Sequence, residues 1–412
     1  MGEQLISDSK MALEGIRVID WTQFAAGAAT SNLLGALGAE VIHVEALSVG
    51  DGGRGVIRLY GVNCVLEGSR TVTFENWNRN KKSLAINLKH ETGRQILYEL
   101  VKKSDVFVTS FLENRVREFK LDYETLCQYN PRIIYGEVNL YGCRGPDCGG
   151  PGWDSLGQAR SGIMTCIGES RETPMYITGA PADMVSAAAL GYGIVVALLA
   201  RERLGISQKI SVSQLGAMIA IAEGTSLGVY LLTGKEPNLH VRNETSNPLD
   251  NLYKCKDGRW ICLCAYQETY FPRVAKMIGI PELFEDPRFT DMHKREQNNK
   301  ELISILDSVF IKKTASEWQE IAKKETVPLS IVNRLSDLAA DPQVLANDYI
   351  IEADHPIYGR HRFPGYPFEL SKTPAKLRSF APECGQHTEE ILTEICGYSW
   401  DKIEKFRNEG VI

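Results

Sequence analysis

The sequence is poor in the patterns that would place it at once in a common class. Its ten cysteines form no CxxC pair and its seven histidines no HxxxH pair. Structural zinc and a two-histidine metal site on a helix are set aside on that ground, and free thiols in a reducing compartment are the reading that remains. No metal is expected. No long Lys/Arg block occurs, and 46 basic against 52 acidic residues leave a formal net charge of −6. That balance argues against a nucleic-acid partner, while leaving room for a local basic pocket that holds phosphates. Residues 1–10 are polar and lack the apolar core of a signal peptide, so a cytoplasmic location is expected. The longest uncharged stretch, 184–200, is short for a membrane span and is interrupted by Ser186, Gly191 and Gly193. It reads as a buried helix, with no membrane partner.

What is present reads as an α/β protein. A chain of 412 residues exceeds one ordinary core, so two domains are expected. Residues 16–20 (IRVID) read as a short buried strand, followed by a small-residue loop at 24–29 and helical character over 30–37. Residues 40–45 (EVIHVE) read as a second strand. A short β-α-β connection implies a parallel sheet. The alternation continues with strands at 83–88, 106–109 and 133–138 and a helix at 91–103, the pattern of a doubly wound domain. A long apolar helix is expected over 183–203 and a strand over 209–212. Beyond a polar segment at 234–248 the pattern changes. Strands at 252–255 and 259–264 around Lys256-Asp257-Gly258, then helices at 300–310 and 315–325, predict a smaller α+β domain over 225–335. Residues 356–374 are rich in proline and read as extended chain.

The loop after the first strand lacks GxGxxG and holds only Gly27 among alanines, so a nicotinamide dinucleotide is not expected. Asp183 is the most suggestive carboxylate. It follows Gly179-Ala180-Pro181-Ala182 and precedes the uncharged stretch, which puts it at a helix N-terminus, where dipole and free amides favour an anion. That suits a nucleophile. On local pattern alone an ordinary capping aspartate is the stronger reading. Trp153-Asp154 follows the Gly/Pro-rich loop 145–152 and reads either as a site-lining segment or as another cap. Asn80-Lys81-Lys82-Ser83 offers lysines of the kind that bind phosphate, and ordinary surface lysines are the stronger reading there.

Taken in order, several segments resemble the family III CoA-transferases, the group that includes formyl-CoA, carnitine, bile-acid and aromatic-acid CoA-transferases. They are LEGIRVID at 13–20, LLGALGAEVIHVE at 33–45, GDGGRG at 50–55, NRNKKSLAINLK at 78–89, SDVFVTSF at 104–111, NPRIIYGEV at 130–138, YGCRGP at 141–146, WDSLGQARSG at 153–162, GAPAD at 179–183 and RERLGISQKISVS at 201–213. Each is weak alone; the order and spacing are specific.

The resemblance implies a large Rossmann-like domain over 1–224, carrying the CoA site and a catalytic Asp183, with residues 336–412 returning to it. It also implies an interlocked dimer. It makes Asp183 the nucleophile of an enzyme that moves CoA from an acyl-CoA to a carboxylic acid through an aspartyl anhydride and an aspartyl-CoA thioester, with backbone amides for the oxyanions. CoA and acyl-CoA are then substrates, and no cofactor is permanently bound. Ala25, Ala26, Lys89, Ser110, Phe111 and Leu112 fall on positions that touch CoA, and Trp153 and Asp154 on positions beside the reacting thioester. Phe24, Ala25 and Trp153 point to an aromatic or bulky apolar acid, such as a benzylsuccinate- or phenyllactate-like one. Ala46 and Glu118 stand where members of the family carry arginines. They keep a second reading open, a CoA-binding subunit that works beside a sister chain. A racemase of α-methylacyl-CoA needs an acid–base partner where Trp153 stands, and tryptophan cannot exchange a proton.

Overall fold

The computed structural model describes residues 10–412, so nearly all of the polar 1–10 segment lies outside the described residues. The chain divides into two compact units. The larger holds the residues up to Met164, Tyr176–Pro237 and Ala346–Ile412; the smaller holds Thr165–Met175 and Asn238–Leu345. The small unit thus begins after the helix at Gly224–Thr233 rather than at residue 225, and it takes in an excursion from the middle of the chain.

Six strands build the large unit's sheet: β1 (Arg17–Trp21), β2 (Glu40–Glu45), β3 (Lys81–Ala85), β4 (Val106–Thr109), β5 (Ile134–Asn139) and β6 (Lys209–Ser213). All neighbours pair in parallel, in the order β3-β2-β1-β4-β5-β6. This is the order of dinucleotide-binding sheets, and it puts a topological switch point between β1 and β4, where a crevice opens beyond the carboxyl ends of the strands. The inner strands are apolar on both faces because helices cover both. Helix α1 (Ala26–Ala36) starts four residues before the predicted 30–37, because the alanines of the expected loop are strong helix formers. It packs with Val18, Val41, Val106 and Ile134 on one face of the sheet, where Leu190 and Ile194 join it. On the other face, α2 (Glu91–Val101) buries Ile96, Leu97 and Leu100 beside Ile19, Ile42 and Phe107.

After β5, α3 (Asp154–Ser161) precedes the long α4 (Pro181–Leu204). Pro181 suits the first turn of α4, and Gly205, at φ 71°, ends it in the left-handed conformation. One side of α4 packs on the sheet through Leu190, Ile194 and Ala197, whereas Tyr192, Val195, Val196 and Leu199 are exposed. The helix expected to be buried is therefore apolar on its exposed side as well. It is long and apolar enough to cross a membrane, with a mean hydropathy of 1.8. Helix α5 (Gly224–Thr233) closes this part.

In the small unit, β7 (Asp250–Lys254), β8 (Trp260–Cys264) and β9 (Leu329–Ile331) form an antiparallel sheet in the order β9-β8-β7. Helices α6 (Asn299–Phe310) and α7 (Ala315–Glu325) cover it, the latter opened by a reciprocal Thr314–Glu317 cap. Trp318, Phe310 and Tyr253 centre this core. The chain then returns to the large unit as a hairpin, β10 (Ile350–His355) and β11 (Gly359–Pro364). The extended reading of 356–374 missed this pairing. Finally α8 (Trp400–Asn408) buries Ile403 and Phe406 in the same core as Ile19 and Phe107.

Candidate active site

The start of α4 has no side-chain cap from its own N-cap residue. Ala180, at its N-cap, sits at φ 56°, ψ 52° and has no side chain able to accept a hydrogen bond. Asp154, the first residue of α3, supplies the cap from a distance in sequence. Its Oδ1 accepts from the N–H of Ala182 at 2.7 Å and of Asp183 at 3.1 Å. Its Oδ2 accepts from Gln158 Nε2 at 2.6 Å. Gln158, wholly buried, also clamps Ile177 through both its backbone groups, at 2.9 and 3.0 Å. The family resemblance places Asp154 beside the reacting thioester. Both its oxygens are taken up by protein donors, and what they position is α4.

The two helices approach closely at Gly157, where a Cβ would lie 2.9 Å from that of Ala182 and 3.2 Å from that of Gln214. Gly157→Ala must therefore push α3 away from the start of α4. Displacements near 1 Å at a reacting group cost about 10²-fold in rate. The variant is expected to lose that order of kcat while its melting temperature falls by only a few degrees, as turnover and circular-dichroism melts would show.

Asp183 projects from the first turn of α4 and is half-buried. One oxygen, Oδ1, accepts a short hydrogen bond from Gln214 Nε2, and Oδ2 has no partner among the described residues. Burial, and then the nearby charge of Asp154, raise its carboxyl from an ordinary 3.8 to about 7. The expectation that free helix amides hold this group ionised is thus corrected. The amides of Ala182 and Asp183 are already bonded to Asp154, so the acid feels its desolvation and a like charge more than the helix end.

Around this carboxylate the fold gathers aromatic walls. Trp153 is 59% exposed and meets Phe24 edge-on at 4.8 Å, which brings the loop after β1 against α3. Ala25 and Ala26 follow Phe24 directly, at the start of α1. Tyr60 and Tyr176 lie 6.5 Å apart, and the Tyr60 hydroxyl accepts from the N–H of Gly179 at 2.9 Å. Ser110 joins the same strand ends: its hydroxyl accepts from Gln23 N at 3.0 Å. Phe111 packs on Trp21 at 4.3 Å, and Leu112 opens the short helix Glu113–Glu118. Arg115 there lies over the Phe111 ring at 4.9 Å with no acidic partner among the described residues. Glu118 is exposed, and Arg117 pairs with Glu113 rather than with it. Ala46 is exposed just past β2. Lys89 has no contact that ties it to this group; it is exposed on the segment whose Asn87 N–H bonds Val411 O.

Beneath the loop after β1 runs a buried charge network that pattern reading did not find. Asp20 accepts from Lys81 Nζ at 2.8 Å, from Ser31 at 2.6 Å and from Thr22 at 2.6 Å, and lies 3.1 Å from His43 Nδ1. Burial raises the Asp20 carboxyl, but the charges of Lys81 and His43 outweigh it and hold the group far below the usual range. Burial likewise pulls His43 down, and the Asp20 charge overcomes it, raising the imidazole to about 10. His43 Nε2 reaches Asp51 at 3.3 Å, and Asp51 Oδ1 in turn accepts from Phe24 N at 3.2 Å. The network therefore sets the backbone of Phe24, whose φ is 60°. Lys81, read as a surface or phosphate-binding lysine, is neither: it is fully committed inside the protein. Lys82 pairs with Glu40 and Glu390.

A Gly-x-Ser-x-Gly match at 224–228 lies within α5 and not on a strand-to-helix turn, so Ser226 is not presented as a nucleophile. Among the described residues no group of three or more His, Cys, Asp or Glu side chains could hold a metal ion. All ten cysteines are free.

Residues 13–388 match the sequence profile of CoA-transferase family III. The chain belongs to this family. It is an enzyme of the CoA-transferase type, and acyl-CoA thioesters are its class of substrate. Succinyl-CoA:glutarate CoA-transferase of Mus musculus is 33% identical over 406 residues, covering 98% of this chain and 91% of that one. The (R)-2-hydroxy-4-methylpentanoate CoA-transferase of Clostridioides difficile is 29% identical, covering 98% of this chain and 100% of its own. Among solved structures, a CAIB/BAIF family protein of Brucella suis superposes with a TM-score of 0.80 at 27% identity, covering 94% of this chain and 100% of that chain.

Proposed function

We propose that this enzyme moves CoA from an acyl-CoA to a carboxylic acid through covalent intermediates on Asp183. The observation that carries the reading is a half-buried carboxylate with one oxygen held by Gln214 and the other unpartnered, beside aromatic walls. Asp183 Oδ2 attacks the acyl carbonyl carbon; the C–S bond breaks, giving a mixed anhydride and CoA thiolate. The thiolate attacks Asp183 Cγ, the Cγ–Oδ2 bond breaks, and the donor acid leaves with that oxygen. The acceptor carboxylate then attacks the aspartyl-CoA thioester and forms a new anhydride with release of thiolate. Thiolate attack on the acceptor's acyl carbon returns Asp183 as a carboxylate. Each step exchanges one activated acyl group for another, so no ATP is needed.

Ala25, Ala26, Ser110, Phe111 and Leu112, at the carboxyl ends of β1 and β4, are proposed to line the CoA, with Arg115 free to meet its phosphates. Lys89 is retained as a phosphate contact from the family resemblance alone. Phe24, Trp153, Tyr60 and Tyr176 favour an aromatic or bulky apolar acyl group. The exposed apolar side of α4, with the exposed Leu231 and Leu232 of α5, fits a second copy of this chain, so a homodimer in the cytoplasm completes the proposal. Purified chain should run at twice its monomer mass in light scattering; a monomer that turns over would remove the dimer from this reading.

The covalent route has a direct test. Incubation with acyl-CoA and hydroxylamine should place a hydroxamate on the peptide carrying Asp183, seen by mass spectrometry. Full turnover with no adduct at any hydroxylamine concentration would remove the aspartyl route.

A further inference from the structure

The family resemblance assigns the oxyanions to backbone amides, and the amides at the start of α4 are not free for that role. Whenever Asp183 Cγ becomes tetrahedral, an oxyanion develops on the oxygen that stays with the protein, and that charge requires a donor. The helix-end amides nearest to it, those of Ala182 and Asp183, already bond Asp154. Gln214 is the remaining donor in contact. It stands at the start of the turn Gln214–Ala217, which Ser213 caps at the end of β6, so its backbone is fixed by the sheet. The residue is 7% exposed and its side chain packs against Gly157 of α3. Its Nε2 donates to Asp183 Oδ1, while its Oε1 is buried with no hydrogen-bond partner. A buried amide left half unsatisfied in order to present its N–H to one carboxylate oxygen is costly to stability, which marks a site built for something other than folding.

From this geometry we infer that Gln214 is a catalytic residue: its amide N–H selects Oδ2 as the attacking oxygen and stabilises the oxyanion on Oδ1. This rests on Asp183 being the nucleophile. With Oδ1 held, Oδ2 is the free oxygen that bonds to the acyl carbon. When CoA thiolate then attacks Cγ, the carbonyl electron pair moves onto Oδ1, against the Gln214 N–H. The charge collapses back as the Cγ–Oδ2 bond breaks and the donor acid leaves. The same donor serves when the acceptor carboxylate attacks the thioester and the Cγ–S bond breaks. Gln214 transfers no proton; it supplies a dipole that is already in place.

The test compares wild type with Gln214→Ala and with the near-isosteric Gln214→Met, which keeps most of the packing and removes the donor. For both variants kcat is expected to fall on the order of 10²-fold or more, while KM for acyl-CoA changes less than about threefold. The acid limb of the kcat/KM pH profile should move upward in Gln214→Ala, because the hydrogen bond to the ionised form is gone. Hydroxamate should form on Asp183 at a rate reduced in proportion to kcat. A Gln214→Met variant that folds and keeps kcat within threefold of wild type would overturn the inference, and so would a loss confined to KM. The nucleophile reading is judged separately in the wild type. A wild-type hydroxamate on Asp183 that forms equally fast in both variants rejects the role of Gln214 and keeps the nucleophile. Its absence from the wild type rejects the nucleophile and, with it, this inference.

Discussion

Asp183→Ala is expected to lower CoA transfer by on the order of 10⁴-fold or more, since removing a covalent nucleophile leaves only binding and positioning. The protein should still fold, because α4 is capped by Asp154 and not by Asp183. Two pH dependences accompany this loss. Attack requires the carboxylate, and burial with the Asp154 charge raises its pKa to about 7, so wild-type kcat/KM should fall about tenfold per pH unit below that value. Stability runs the other way. A carboxyl whose folded pKa lies above its unfolded one favours the fold fully at pH below about 4, and that contribution is lost as pH rises through about 7. Asp183→Asn, neutral throughout, should therefore melt higher than wild type at pH 8, and the difference should shrink toward pH 4. Measurable transfer by the alanine variant at the wild-type rate would end the nucleophile reading. An asparagine variant less stable than wild type at pH 8 would show that the buried charge is stabilised by something not identified around it.

The second large effect is on the fold. Lys81→Met removes the ammonium that meets Asp20 at 2.8 Å, Ala28 O at 2.9 Å and Asn78 Oδ1 at 2.9 Å, all inside the protein. Both charged side chains are without solvent exposure. Breaking one partner of such a buried pair costs about 3–5 kcal/mol, a fall of roughly 10 °C in melting temperature for a unit of this size. Because Asp20 also holds His43, and His43 reaches Asp51 beneath Phe24, residual activity should fall as well, with its loss seen in KM for acyl-CoA. The double variant Lys81→Met, Asp20→Leu, which removes both charges, should recover part of the lost stability. A single variant that melts within 2 °C of wild type would mean that the pair is not the anchor described.

The sequence by itself determined the class of the protein. Strands such as IRVID and EVIHVE are short and apolar, the connections between them suit helices, and together they dictate a parallel sheet before any coordinate is known. The ordered motifs from 13 to 213 were sufficient for the family, and it is the family resemblance, not GAPAD alone, that makes Asp183 the candidate nucleophile. Local pattern could not show what surrounds that residue. Asp154 caps a helix that begins 27 residues after it, and Gln214 reaches Asp183 from the end of another strand. Neither partner lies within one helical turn, so no periodicity records them. The same limit misplaced Lys81: a lysine beside Asn80 and Lys82 looks exposed until β3 is seen to lie next to β2, with Asp20 one strand further in. Proximity in sequence sets propensity and pattern. Burial and like charge, which move the Asp183 carboxyl to about 7, come from residues brought together by the sheet, and only the tertiary structure decides them.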